Sequence, residues 1–323
     1  MSKVYCIGEA LIDFVSTSHG LPMEDVPGFV RAAGGAPANL AAAVKKLGAE
    51  SCFIGKLGDD AFGRHIKKTI DKAGVDTTYL YTTREAFTTL CFVALHDSGE
   101  RDMIFARKPG ADMLLSEEDV ANVPFGSGDI MHFGSCGLVE GPTRRAHKKA
   151  VELAKKAGCI VSFDPNVRLD LWEDPRELRD IILEFLPFAD VLKVNSEEVE
   201  FIFGSEDEKA AAKKCLDMGI RLVLVTRGPA GSAMYTKEHS TEIRSIDVPV
   251  DDTTGAGDAY TGTVLSMLVG HKLEEVLKPE KLEEIIRLAN IVGSITTMKK
   301  GAIESIPTLE EAKAFPVEQY GLV

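Results

Sequence analysis

Short apolar runs alternate with longer segments of helical period along most of the chain. The runs Val4–Gly8, Ser51–Lys56, Asp129–Gly134, Ile160–Asp164, Val191–Asn195 and Leu222–Thr226 are nearly continuous in apolar residues. That pattern predicts strands covered on both faces. Between them, Ala38–Leu47, Ala61–Ala73, Thr143–Ala157 and Glu208–Met218 place apolar residues at helical spacing and predict amphipathic helices. Gly48, Gly74, Gly158 and Gly219 stand just past these segments, where a glycine ends a helix by turning left-handed. Strand–helix alternation of this kind predicts an α/β fold, with a mainly parallel central sheet and helices on both faces.

Two stretches break the rhythm. Phe14–Ala33 holds Gly20, Pro22, Pro27 and Gly28 with no helical period, and Thr88–His96 with Arg101–Arg107 reads as a hairpin turning at Asp97-Ser98-Gly99-Glu100. Together they predict a small β-sheet lid, an ordinary loop plus an edge hairpin being the plainer alternative. The chain then divides into a core of residues 1–13, 34–86 and 108–323 and a lid of residues 14–33 and 87–107. No internal repeat or low-complexity tract interrupts it.

The bulk numbers narrow the class. The 323 residues are 45% hydrophobic and 27% charged, which is ordinary globular composition and ample for a sizeable core. The net charge of −13, with no basic run longer than pairs such as Lys45-Lys46, argues against a nucleic-acid partner. No apolar stretch reaches the ~18–20 residues of a membrane span. The opening MSKVYCIG carries no leader pattern, and Cys6, Cys52, Cys91, Cys136, Cys159 and Cys215 include no C-x-x-C pair. The expectation is a cytoplasmic protein with reduced thiols. His19, His65, His96, His132, His147, His239 and His271 are scattered without metal-binding spacing, and His132 inside an apolar run reads as a core residue.

Two segments carry chemistry. Asp252-Thr-Thr-Gly255-Ala256-Gly257-Asp258 leads into the apolar pattern Ala259–Val269. Glycines before a helix let successive backbone N–H groups converge where the helix dipole favours negative charge. An aspartate there can accept a hydroxyl proton while the amides hold a phosphoryl group, or it can simply cap the helix. No G-x-x-x-x-G-K-[ST] sequence occurs, so a P-loop is excluded. The second segment, Gly34-Gly35-Ala36-Pro37-Ala38-Asn39, opens a helix with two glycines that allow close ligand approach. Asn39 offers a donor and an acceptor suited to vicinal hydroxyls; a plain glycine turn is the alternative.

Gly34–Gly58 and Asp252–Gly262 together resemble the two signatures of the phosphofructokinase-B type carbohydrate kinases, which are ribokinase-like. Gly34, Gly35, Asn39, Ala41, Gly48 and Gly58 fall at the first signature's positions. Thr263 departs from the second, where Ala or Gly is usual. The resemblance runs from Val4 to about Pro307 and implies an ATP-dependent sugar kinase with Asp258 as base and Gly255, Ala256 and Gly257 as anion pocket. By the same resemblance Asp13, Gly34, Gly35, Asn39 and Arg168 meet the sugar, and Asn195 with Glu198 organises Mg²⁺ and phosphates. Thr226, Gly228, Gly231, Ala289 and Asn290, with Gly257, meet the nucleotide. Asp252, Thr254, Thr296, Lys299, Gly301 and Ser305 fall where the family binds K⁺ or a similar monovalent cation.

The sugar-facing segments Gly8–Phe14, Gly34–Asn39 and Asp164–Arg168, with Leu171-Trp172, resemble those of fructokinases, which implies D-fructose as substrate. A 2-keto-3-deoxygluconate kinase is the alternative, with Arg107 as the additional cation an acid substrate needs. A dehydrogenase would want G-x-G-x-x-G after the first strand, where Gly8-Glu-Ala-Leu-Ile-Asp13 stands instead. A sugar sensor that had lost catalysis would lack Asp258 or an anion-pocket glycine. The apolar residues of the lid, Leu90, Phe92, Val93, Met103, Ile104 and Phe105, together with the family's habit of clasping lids, imply a homodimer.

Overall fold

In the computed structural model, which describes residues 1–95 and 101–321, thirteen strands form two sheets. They are β1 (Lys3–Ile7), β2 (Leu11–His19), β3 (Phe29–Gly34), β4 (Glu50–Gly58), β5 (Asp76–Thr83), β6 (Leu90–Leu95), β7 (Arg101–Ala106), β8 (Ile130–Gly134), β9 (Ile160–Asp164), β10 (Val191–Asn195), β11 (Leu222–Thr226), β12 (Ser232–Tyr235) and β13 (Ser240–Ile243). The hairpin turn Asp97–Glu100, with His96, lies outside the described residues.

The large sheet runs β13-β12-β11-β10-β9-β8-β1-β4-β5, parallel except for the antiparallel β12 and β13. The six strands expected from sequence are all present, with ends shifted by at most two residues. Their continuous apolar character follows from burial on both faces. Ile7, Ile54, Phe133 and Phe163 lie in one core layer and Val4, Phe53, Ile130 and Leu222 in the other. Each large side chain removed from water contributes roughly 1.5–3 kcal/mol before entropy is counted. Strand β5 escapes the apolar pattern because it is an edge, where only Leu80 is buried. β12 and β13 are four residues each, too short for periodicity to show.

The small sheet, in order β3-β2-β6-β7, starts at Leu11 rather than at Phe14. β6 and β7 are the expected hairpin, pairing Phe92 with Ile104. One face carries Leu11, Asp13, Val15, Cys91, Val93, Met103 and Phe105 towards a cavity. On the other, Phe14 stacks on Phe92 and meets Phe62 of the helix Ala61–Lys72 edge-on. Val30 and Ile104 remain exposed.

Two features position the site. The chain leaves β1 toward β4 on one side and later returns through β8 on the other, so the carboxyl ends of β1 and β8 flank a topological switch point, where open α/β sheets bind ligands. The helices Ala36–Lys46 and Ala256–Leu268 also pack tightly against each other. A Cβ on Gly262 would stand 2.6 Å from Ala43 Cβ and 3.2 Å from Leu40 O, so only glycine permits this approach. Thr263, the departure from the usual residue, is fully buried, and its hydroxyl donates to Ala259 O at 2.7 Å. Its polar atom is thus satisfied within the helix.

Candidate active site

The packed pair of helices brings two distant sequence segments together. Asn39, one turn into the first helix, donates through Nδ2 to Asp258 Oδ2 at 2.8 Å, across 219 positions of chain. Ahead of that helix, Gly35 has φ of +104°, and a side chain there would stand 2.6 Å from Glu9 O. Gly34 similarly leaves room for the Asp13 carboxylate. The two glycines therefore allow β3 to run directly beneath the first strand's exit and to deliver Asn39 to its partner.

Gly255, at φ +81°, is the left-handed N-cap of the helix Ala256–Leu268, with no side-chain cap. The first-turn amides of this 13-residue helix are left open to an anion. Asp258 therefore does not act as the N-cap; it sits inside the first turn, half-buried and facing the cavity. Burial pushes its carboxyl up to about 6, with Asp164 adding to the rise and Asn39, Lys193 and Arg168 opposing it. A carboxyl held there is ionised at neutral pH and still basic enough to accept a proton.

A cavity of about 370 Å³ reaches from the small sheet to this turn. Asp13, Gly35, Asn39, Arg107, Arg168, Asn195, Thr226, Gly228, Thr254, Gly255, Gly257 and Asp258 all line it. Arg168 is aimed by an unusual turn: Asn166 adopts φ +46°, its N–H donating to Asp164 Oδ1 at 3.2 Å. Asparagine tolerates that conformation better than most residues. Arg107 also faces the cavity, but its guanidinium pairs with Asp112 at 2.6 Å and donates to Cys136 O at 2.8 Å.

A second cavity of about 280 Å³ shares Thr226, Gly228, Thr253 and Gly257 with the first. Ala256, Gly231 and Asn290 line it, along with Ile246, Val248, Val250, Tyr260 and Ser294. Gly231, at φ +94°, could carry no side chain without striking Ile243 O. Asn290 is held by its own bonds, donating to Ile243 O at 2.9 Å and accepting from Ser232 at 3.0 Å. Ala289 lies fully buried in the core, away from both cavities.

The residues grouped for cations are partly assembled. Asp252 Oδ1 accepts from Thr254 N–H and hydroxyl, and its Oδ2 accepts from Gly301 N–H at 3.2 Å. Thr296 and Ser305 bond to carbonyls of their own helices, while Lys299 is exposed. Among the described residues no cluster of three His, Cys, Asp or Glu could hold a metal unaided. Glu198 accepts from the Val167 and Asn195 amides, each at 2.8 Å, completing a capping box with Asn195.

Sequence reading passed over Lys193, Glu9 and Cys136. Lys193 is buried in β10, pairs with Asp164 at 3.2 Å and lies 3.4 Å from where a Gly257 Cβ would stand. Burial pulls its ammonium down, but Asp164 and Glu198 outweigh that and leave it raised. A lysine inside the run VLKVN was the available signal, since an unpaired charge is not tolerated in a buried strand. Glu9 after β1 is buried too. Cys136 carries no signal of its own; the loop after β8 brings it in.

The fold and these joined cavities set a carboxylate beside an open turn of amides, the arrangement of an α/β phosphoryl-transfer enzyme. The chain belongs to the pfkB family of carbohydrate kinases, whose model matches residues 1–309. It is 42% identical over 315 residues to probable fructokinase-4 of Arabidopsis thaliana, covering 97% of this chain and 96% of that one. Its structure is similar to a fructokinase from Vibrio cholerae O395 bound to fructose, ADP and calcium, with a TM-score of 0.89, 32% identity and coverage of 98% and 99%. A double mutant of the Vibrio cholerae O395 enzyme, bound to fructose, ADP and a potassium ion, also gives 0.89, at 31% identity and 98% coverage of each chain.

A base at Asp258 would have to be ionised to accept a proton, so kcat/KM is expected to fall as pH drops through about 6. A profile flat down to pH 4.5 would contradict the assignment of the base to this carboxyl.

Proposed function

We propose that the protein transfers the terminal phosphoryl group of ATP to the 6-hydroxyl of D-fructose. The observation that carries this reading is the neck where the two cavities meet: Gly257 belongs to both, and Asp258 lies beside it. The sugar occupies the larger cavity against Asp13, Gly35, Asn39 and Arg168, with Gly34 making room for the Asp13 carboxylate. ATP occupies the second, its outer phosphate on the Gly255–Gly257 amides. Asp258 takes the hydroxyl proton as the oxygen attacks in line, and the amides, Arg168 and Lys193 offset charge on the phosphoryl oxygens. The fructokinase relatives support fructose. So does Arg107: its charge is neutralised by Asp112, which leaves a pocket suited to a neutral sugar rather than an acid.

Mg²⁺ would arrive with ATP and neutralise phosphate charge; with no carboxylate cluster among the described residues to hold it, Asn195 and Glu198 would meet it through water. A monovalent cation, K⁺ or similar, would sit by the loop that Asp252 ties to Gly301 and stiffen the amide nest. The small sheet serves as the lid over the sugar, and its exposed Val30 and Ile104 support a homodimer formed through it. The compartment we read is the cytoplasm, supported by six buried cysteines, none of them in a disulfide. Among the described residues no helix is long and apolar enough to cross a membrane.

Asp258→Asn is expected to keep ATP binding and lose roughly three orders of magnitude in kcat. With the wild type, kcat/KM for fructose should exceed that for ribose, glucose, aminoimidazole riboside and 2-keto-3-deoxygluconate. A tenfold preference for any of these would overturn the substrate, and a variant above a tenth of wild-type kcat would overturn the base. Replacing K⁺ by a large organic cation in that assay should slow turnover several-fold, and equal rates would remove the cation site. Light scattering at micromolar concentration should give twice the mass of the chain; a monomer would refute the lid interface.

A further inference from the structure

A base that has taken a proton must lose it before the next turnover, and during transfer Asp258 is covered by both substrates. The structure places a second carboxyl beside it. Glu9, just past β1, is 6% exposed, and its Oε2 has no hydrogen-bond partner among the described residues. Asn39 Oδ1, on the residue that donates to Asp258, is also buried and unpartnered. Buried acceptors are normally paired, and exceptions ask for a function or a missing donor. Glu9 and Asp258 line one small cavity of about 10 Å³, together with His132 and Asp164. That is close to the least room that holds a single water molecule.

We infer that Glu9 takes up, through one water molecule in this cavity, the proton that Asp258 removes from the sugar hydroxyl. The O–H bond on Asp258 breaks as one forms to the water, and the water passes a different hydrogen to Glu9. One proton moves and no electrons are exchanged. Burial pushes both carboxyls up, Glu9 to about 7 and Asp258 to about 6, so the two are matched closely enough to exchange a proton. Arg107 opposes the rise at Glu9, while Asp112 and Asp258 add to it, and Cys136 and Arg168 also face the carboxyl. Neither His132 nor Asp164 competes for the proton. Burial keeps His132 neutral, at about 3, and it bonds to Ser162; Asp164 is paired with Lys193. Glu9 acts through Asp258 and is a positioning residue rather than a catalytic one.

This inference rests on the phosphoryl-transfer reading of Asp258. The test is Glu9→Gln, which keeps shape and polarity but cannot take the proton. At pH 7.5 kcat should fall roughly tenfold, less than the ~10²–10⁴ contributed by a group that meets the reacting atoms directly, with KM for sugar and ATP within about twofold. The acid limb of kcat should also move to lower pH, because in the wild type it includes the ionisation of Glu9 at about 7, which the variant lacks, leaving that of Asp258 at about 6. A variant with wild-type kcat and an unmoved limb overturns the inference. So does a fall in kcat with the limb unmoved, the result of a merely structural role. Asp258→Asn separates the failures: if it stays active the phosphoryl-transfer reading itself falls, and if it is inactive while Glu9→Gln matches wild type, only the role of Glu9 falls.

Discussion

The hydrogen bond from Asn39 to Asp258 is the contact on which the rest of the site depends. It joins two helices that are far apart in sequence, and it exists because Gly262 lets them approach to a distance no other residue allows. A side chain at that position would wedge the pair apart, at the roughly 1–3 kcal/mol that overpacking costs. The greater loss would be in geometry. Asn39 fixes the sugar-side glycines relative to the anion-side glycines, so the hydroxyl and the phosphoryl group are presented to each other rather than merely bound.

The electrostatics follow from the same enclosure. Asp164, Lys193, Arg168 and Asp258 line the cavity, and the buried Glu198 lies close to it. Lys193 and Asp164 compensate each other, and Glu198 is held by two amides, yet burial still leaves its carboxyl raised. Among the described residues Asn39 is the direct side-chain hydrogen-bond partner of Asp258, with Lys193 and Arg168 acting from further off. A carboxyl raised in this way weakens the folded state once pH rises above its ordinary range, because the charged form is better solvated when unfolded. The site therefore trades some stability for a carboxyl poised near neutrality.

Much of this was legible in the sequence, and for identifiable reasons. Strands β1, β4 and β8–β11 showed themselves because burial on both faces leaves few polar positions. The turns at Gly35 and Gly255 showed themselves because only glycine fits a positive φ against neighbouring backbone. What stayed hidden depends on long-range neighbours. Glu9 reads as an ordinary loop carboxylate until Gly35, Arg107 and Asp112 close around it. Ala289 and Asn290 are adjacent in sequence, but a helix rotates neighbours by about 100°, so one faces the core and the other the cleft. The apolar wall of the second cavity, Ile246, Val248 and Val250, lies in a loop without periodicity to betray it.

The central claim is that Asn39 holds Asp258 in its working position and ionisation. A donor to a carboxylate lowers its pKa, so removing the donor must raise it. The direct measurement is the pH dependence of kcat/KM in Asn39→Ala beside the wild type. The account predicts an acid limb displaced upward from about 6, together with a lower plateau. A limb at the wild-type position, with the plateau unchanged, would contradict it.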